Sequence, residues 1–395
     1  MGRKIIGLLL FLGLFAGELQ GQYELSVHGM GGNMKSHSAY NRNMDSRPLR
    51  GIQVEEMWLV RPEPSGGIGP ANSLKMLGIS AFCYDLGDGL RPVNDWVNKG
   101  KPAMGQAFGI MTKVATKTVL GIHSLGGRGI NQFRWEFGGG FLYVNQVFDS
   151  LRNPANEAMS FPVNFAAQMR LQLVSHVTKT LSVSAGVYGF HTSNSNWRKP
   201  NVGLNYAGLD VGLHYRFHER HLQHQGTSGI TVRDACYLGK KRVSMLSSEK
   251  WEVALKGAVR EYRWDRPVVY SCFVGSFQYQ LGDRFWRLGM DVFYEKGSGK
   301  LVGGETAANP LKSRIETGFY LRKIFRFGWV DMFMDLGGYI VPPQSDRVKD
   351  LSKNKYFYNA LGAQYHLNEH WSVLHRIKAH KNIADYMEFG VSYCW

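Results

Sequence analysis

Beyond residue 22 the chain contains no uninterrupted apolar run approaching the roughly 18 to 20 residues that a membrane helix needs. A helical membrane protein is thereby excluded, and residence in a membrane would require a closed barrel, since only that alternative pairs every backbone N–H and C=O inside lipid. Cysteine is scarce: four residues, Cys83, Cys236, Cys272 and Cys394, scattered without metal-ligand spacing. So few thiols impose no disulfide framework, even in an oxidising compartment. The thirteen histidines are dispersed, and the tightest group, His218, His221 and His224, lies in a polar stretch that reads as a solvated basic loop rather than a metal site. No cofactor is called for. Proline is sparse at 13 residues, and acidic residues are outnumbered, 31 against 47 basic ones. The resulting formal charge of +16 suggests an anionic partner, either nucleic acid or a phosphorylated surface.

What is present begins with a basic start at Arg3 and Lys4, an apolar core from Ile5 to Ala16, and small residues at Gly17 and Gly21. That order reads as a secretory signal peptide over residues 1–21, with the mature chain starting near Gln22 or Tyr23. Export disfavours nucleic acid as the anionic partner and leaves a phosphorylated surface. Glycine and aromatic residues are abundant, at 47 residues and 13%, while mean hydropathy is only −0.25. A transmembrane barrel has this composition because alternate residues face lipid and the others are polar, so the average falls near zero.

Period-two alternation is the dominant pattern. Val163, Phe165, Ala167, Met169, Leu171 and Leu173 are apolar, with Asn164, Gln168, Arg170 and Gln172 between them. The same parity separates Trp251, Val253, Leu255 and Val259 from Glu252, Lys256 and Arg260, and Trp286, Leu288, Met290, Val292 and Tyr294 from Arg287, Asp291 and Glu295. About eight such segments precede residue 217 and about eight follow residue 249. Each group ends in alternation running out to an aromatic: Leu209, Val211, Leu213, Tyr215, Phe217 in the first and Phe389, Val391, Tyr393, Trp395 in the second. The expectation is an all-β, antiparallel transmembrane barrel of the outer-membrane type, about 16 strands from two repeats of about eight. The organisation expected is a signal peptide at 1–21, a first unit at 22–217, a polar connector at 218–249 and a second unit at 250–395. One closed sheet of about sixteen strands is preferred over two tandem eight-stranded barrels, although a connector of that length exceeds the usual periplasmic turn.

Chemistry concentrates at the end of the seventh segment. Leu181, Val183, Ala185 and Val187 are apolar while Ser182 and Ser184 are polar, so odd residues face lipid, and His191 and Ser193 share that parity. In the following segment Asn205 has the parity of Leu209 and Val211, so a hairpin can bring His191 and Asn205 together as cross-strand neighbours. Serine is a weak nucleophile until a base takes its proton, and histidine does so near neutral pH. A third group must hold the imidazole tautomer, a role that asparagine fills in papain-type proteases. A side-chain amide could stabilise the oxyanion of an ester's tetrahedral intermediate.

His191-Thr192-Ser193-Asn194, followed by Pro200-Asn201-Val202-Gly203 and the run Leu204 to Phe217, resembles the signature of the PagL-type lipid A deacylases, also called acyloxyacyl hydrolases. The resemblance covers roughly residues 23–217, with Asn153 to Asn156 and Ser160 to Asn164 contributing. It implies an outer-membrane barrel of about eight strands that removes the ester-linked 3-O acyl chain from lipid A. It also implies Ser193 as nucleophile, His191 as general base and Asn194 as a contributor to the oxyanion hole. The family's acidic residue falls two positions after the loop glycine, where this chain has Asn205. Arg198 and Lys199, in the loop overhanging the site, are candidates for binding the phosphates or sugar of lipopolysaccharide, or are simply solvated. In the second half Lys378, His380 and Asp385 echo the motif faintly, but no serine follows His380 at the needed spacing, so that half reads as a structural repeat or a lumen-facing polar cluster. The alternative to an esterase is a non-catalytic outer-membrane barrel, a channel or a structural protein, bearing a degenerate motif.

Overall fold

A computed structural model describes residues 23–35, 46–60, 74–89, 100–123, 130–217, 251–261, 269–281, 285–295, 315–327, 330–341, 356–380 and 383–395. The expected signal peptide and polar connector, with Cys236 and the three clustered histidines, lie outside the described residues. Sixteen antiparallel strands form two separate closed barrels of eight. The first contains β1 (Tyr23–Met34), β2 (Leu49–Val60), β3 (Leu74–Asp85), β4 (Gln106–His123), β5 (Ile130–Val144), β6 (Val163–His176), β7 (Leu181–Ser193) and β8 (Leu204–Phe217). The second contains β9 (Trp251–Glu261), β10 (Val269–Gln280), β11 (Trp286–Glu295), β12 (Ile315–Phe327), β13 (Val330–Val341), β14 (Phe357–His366), β15 (Trp371–His380) and β16 (Ile383–Cys394).

Closure corrects the expectation of a single sixteen-stranded sheet. β8 pairs back onto β1 along its length, from Tyr23 opposite Phe217 to Met34 opposite Tyr206, so neither strand keeps a free edge to continue into β9. β16 closes on β9 in the same way, with Val391 opposite Leu255 and Cys394 opposite Glu252. The terminal aromatic strands are thus the closing strands of two rings. No helix among the described residues is long and apolar enough to cross a membrane.

The alternation becomes an inside and an outside. Leu209, Val211 and Leu213 on β8 are 68%, 62% and 52% exposed, whereas Asp210 and His214, of the opposite parity, are buried. Apolar side chains therefore face outward, as lipid requires, and the polar set fills the lumen. Eight strands leave an interior only wide enough for side chains, and here those side chains are charged. In the first barrel Arg170 bridges Glu55 and Glu136, Lys113 bonds Glu55 and Gln168 at 2.5 and 2.6 Å, and Arg134 links Glu24 to Glu136. In the second, Arg376 reaches Glu388, Asp291 and Asp335 at 2.9 to 3.1 Å, and Lys256 meets Asp291 and Glu388 at 3.3 and 3.2 Å. Buried charges survive only when paired and hydrogen-bonded, so each barrel holds a paired ionic network beside a cluster of buried apolar and aromatic side chains.

Candidate active site

β6, β7 and β8 present the site at one rim of the first barrel. Their register sets Ala167 opposite His191, Phe165 opposite Ser193, and His191 opposite Asn205. His191 and Asn205 are half-buried on the outward face, and Ser193 at the strand end is buried, 6% exposed. His191 Nδ1 lies 2.6 Å from Asn205 Oδ1, and His191 Nε2 lies 3.3 Å from Ser193 Oγ. Because Asn205 Oδ1 can only accept, this contact places the proton on Nδ1 and leaves the Nε2 lone pair for the serine hydroxyl. An imidazole so held can take the proton of Ser193 Oγ.

Asn194 follows immediately and is 2% exposed. Its backbone N–H donates to Asn201 Oδ1 at 3.1 Å, and its side-chain Nδ2 donates to Ser160 Oγ at 3.3 Å. Ser195 and Asn196 next have positive φ, 50° and 63°, a left-handed pair that reverses the chain tightly after the site. Arg198 is exposed and Lys199 half-buried. Residues 195–199 cluster with the second compact unit rather than the first, and within it the Lys199 backbone N–H donates to the Glu261 carboxylate at 2.5 Å.

Gly203 is needed for close approach. Its φ is +73°, and a Cβ there would lie 3.1 Å from Ser193 Cβ, 3.3 Å from His191 Cε1 and 3.0 Å from the Thr192 carbonyl oxygen. Replacement by alanine imposes backbone strain and pushes on both members of the Ser–His pair. Gly203→Ala is expected to lower ester hydrolysis about a hundredfold while the barrel still folds; initial rates on purified protein measure it, and an unchanged rate would refute the close-approach argument.

Sequence parity missed two further Ser–His–acid arrays in the lumen of the first barrel. His28 Nε2 lies 3.1 Å from Ser26 Oγ and its Nδ1 3.2 Å from Asp210. His214 Nε2 lies 2.8 Å from Ser184 Oγ and its Nδ1 2.9 Å from Glu24. All six side chains are buried among the ion pairs, where no ester can reach them. The outward array differs from them in facing the barrel's exterior, where His191 and Asn205 are half-buried, and in holding an amide where they hold a carboxylate. In the second barrel His380 Nδ1 lies 2.6 Å from Asp385 Oδ2, while Lys378 bonds the Tyr386 hydroxyl at 3.1 Å over the ring of Phe293. Among the described residues no group of three or more His, Cys, Asp or Glu could hold a metal ion.

Comparison with known proteins places these features. Residues 91–214 match the family model described as lipid A 3-O-deacylase (PagL), and residues 249–395 match the one described as acyloxyacyl hydrolase, C-terminal domain. Among solved structures, the crystal structure of the outer membrane enzyme PagL is 14% identical, covers 47% of this chain and 97% of that chain, and has a TM-score of 0.28. The translocator domain of the autotransporter NalP from Neisseria meningitidis is 9% identical over 100% of this chain and 95% of that one, with a TM-score of 0.20. A mutant Rh. blastica porin is 7% identical over 94% and 99%, with a TM-score of 0.16. No curated protein matches. Over residues 91–214 the chain belongs to the lipid A 3-O-deacylase (PagL) family, and over residues 249–395 it carries the acyloxyacyl hydrolase C-terminal domain.

Proposed function

We propose that this protein is an outer-membrane serine esterase that removes an ester-linked acyl chain from lipid A, with Ser193 as nucleophile and His191 as general base. The observation that carries this reading is the continuous contact from Ser193 Oγ through His191 to Asn205 Oδ1 on the outward face of the first barrel. On that face an acyl ester arrives through the membrane and needs no path through the packed lumen. Ser193 Oγ attacks the ester carbonyl as its proton passes to His191 Nε2, giving a tetrahedral intermediate. The imidazolium gives that proton to the departing sugar oxygen as the intermediate collapses to an acyl-enzyme. Water, deprotonated in turn by His191, releases the fatty acid. Asn194 would contribute an amide donor to the oxyanion, and Arg198 and Lys199 would meet the lipid's phosphates or sugar. Export to the bacterial outer membrane through a cleaved signal peptide goes with this assignment, and no cofactor enters the chemistry.

Mass spectrometry of lipid A from cells expressing the protein tests the proposal: one acyl chain should be lost. Intact lipid A in the presence of well-folded protein would favour the structural reading, for which the two charged lumens are the supporting observation.

Asn205 fixes the tautomer but offers no charge to the imidazolium that forms. With the Nδ1–Oδ1 contact already 2.6 Å, the isosteric acid is aspartate, and a glutamate must fold its extra methylene away. Asn205→Asp is expected to raise kcat at least about tenfold, with Asn205→Glu gaining less. Equal or lower kcat in both folded variants would show that the missing carboxylate does not limit the reaction.

A further inference from the structure

β1 ends beside the site. Its pairing with β8 sets Asn33 opposite Ala207 and Met34 opposite Tyr206, and the Lys35 backbone N–H continues that ladder by donating to the Asn205 carbonyl at 2.7 Å. Asn205 in turn stands opposite His191 on β7. Lys35, Asn205 and His191 thus form one row across three adjacent strands. Cα atoms directly opposite one another in antiparallel strands lie about 4.5 to 5.5 Å apart, so the row spans about 10 Å from lysine to histidine.

The row shares a face as well as a level. Along β1 Glu24, Ser26, His28 and Met30 are buried toward the lumen, while Val27, Gly29, Gly31 and Asn33 are exposed. Lys35 has the second parity and is exposed, so its side chain leaves the barrel on the same outer face as His191 and Asn205. The residues around it are neutral: Asn33 two positions back, Ala207 opposite Asn33, and Asn205. Arg50, an exposed cation at the start of β2, has Asp85 directly opposite on β3. Among the described residues the Lys35 ammonium makes no ion pair.

From this geometry we infer that Lys35 is a specificity-determining residue of the esterase, its ammonium taking a phosphate of the glycolipid whose acyl ester lies at Ser193; the inference rests on the proposed function of that site. A charge in hydrocarbon is costly, so a lysine on a lipid-facing surface lays its stem along the apolar face and keeps its ammonium at the level of the headgroups. That level is the row of the catalytic imidazole, two strands away, a spacing that one phosphorylated sugar bridges. Phosphate oxygens accept from the ammonium in charge-assisted bonds. The contact is remote from the bond that breaks and serves ground state and transition state alike, so it acts on KM rather than on kcat.

The test uses the full-length protein in neutral detergent micelles, with lipid A, the same lipid A stripped of its phosphates, and the p-nitrophenyl ester of a medium-chain fatty acid as substrates. On lipid A, Lys35→Ala is expected to raise KM about tenfold with kcat within about twofold of the parent, and Lys35→Arg should keep KM within about threefold. Lys35→Glu should raise KM further, since a carboxylate repels the phosphate. On the stripped lipid the parent and Lys35→Ala should share one raised KM, because the contact is absent from both. Lys179→Ala, which removes an exposed cation between β6 and β7 at the other end of the barrel, should leave KM on lipid A unchanged. A KM on lipid A that does not move in Lys35→Ala, or that moves equally on the stripped lipid, would overturn the inference. So would a shift on the stripped lipid that appears only when phosphatidylglycerol is added to the micelles, for Lys35 would then hold the phosphate of a neighbouring lipid. Ser193→Ala separates the two ideas: if it still cleaves the p-nitrophenyl ester the esterase reading itself fails, and if it is inactive while Lys35→Ala keeps the parental KM on lipid A, only the role of Lys35 fails.

Discussion

Cells expressing the Ser193→Ala variant are expected to retain fully acylated lipid A, and the purified variant should lose at least about a thousandfold in ester hydrolysis. The argument begins with the register. Pairing of β7 with β8 puts His191 opposite Asn205, and the two-residue step along β7 brings Ser193 onto the same face. The hydroxyl then lies 3.3 Å from the one imidazole nitrogen that the 2.6 Å contact to Asn205 leaves unprotonated. Removing the oxygen removes the covalent intermediate, and the other serines seen bonded to histidine in the first barrel, Ser26, Ser182 and Ser184, are buried on the lumen face. Ser26 and Ser184 have equally good histidine contacts yet sit in the lumen. They supply the internal control: Ser184→Ala should leave lipid A processing close to wild type in folded protein. His191→Ala should resemble Ser193→Ala, and the pair together should lose no more than either alone, because nucleophile and base act as a unit. Full processing by folded Ser193→Ala protein would eliminate this site as the seat of the reaction.

The strands and the outward patch were legible in the sequence for one reason. Lipid outside and a polar lumen inside impose a strict period of two, so Leu209, Val211 and Leu213 declare a face, and His191, Ser193 and Asn205 are conspicuous for sharing it. Closure was not legible. β1 could have paired with β16 as well as with β8, since both end in an aromatic, and the choice is made by hydrogen bonds between strands far apart in the chain. The supporting loops were equally silent. Ser160 meets Asn194 across 34 residues, and Gly203 is constrained by its approach to Ser193 and His191 rather than by any pattern in its own neighbourhood. The lumen arrays also escaped, because Ser26, His28 and Asp210 have inward parity on strands that become neighbours only when the ring closes.

In the second barrel the largest expected loss of stability comes from Arg376→Ala. The guanidinium is fully buried and reaches three carboxylates: both oxygens of Glu388 at 2.9 and 3.0 Å, Asp291 at 2.9 Å and Asp335 at 3.1 Å. Asp335 retains a bidentate partner in Arg322 at 2.7 and 2.9 Å, and Asp291 and Glu388 retain Lys256 at 3.3 and 3.2 Å. Without Arg376, three carboxylates in one dry lumen share two cations, and Glu388 keeps only the longer contact to Lys256. Breaking a buried ionic cluster by deleting one member costs about 3 to 5 kcal/mol, because the surviving charges stay desolvated. Urea unfolding in detergent should therefore show a clear drop in midpoint for Arg376→Ala, whereas Arg198→Ala, at an exposed position, should stay within about 0.5 kcal/mol of the parent. Arg376→Met distinguishes charge from volume: it fills much of the space yet leaves the same carboxylates short of a cation, so it should be nearly as destabilising as alanine. A methionine variant of parental stability would mean that packing rather than ionic pairing holds this lumen together. Since an apolar replacement of a whole buried cluster is often neutral or stabilising, replacing Arg376 and Glu388 together by methionine and leucine should recover part of what Arg376→Ala loses, for the deletion then removes a carboxylate along with its cation.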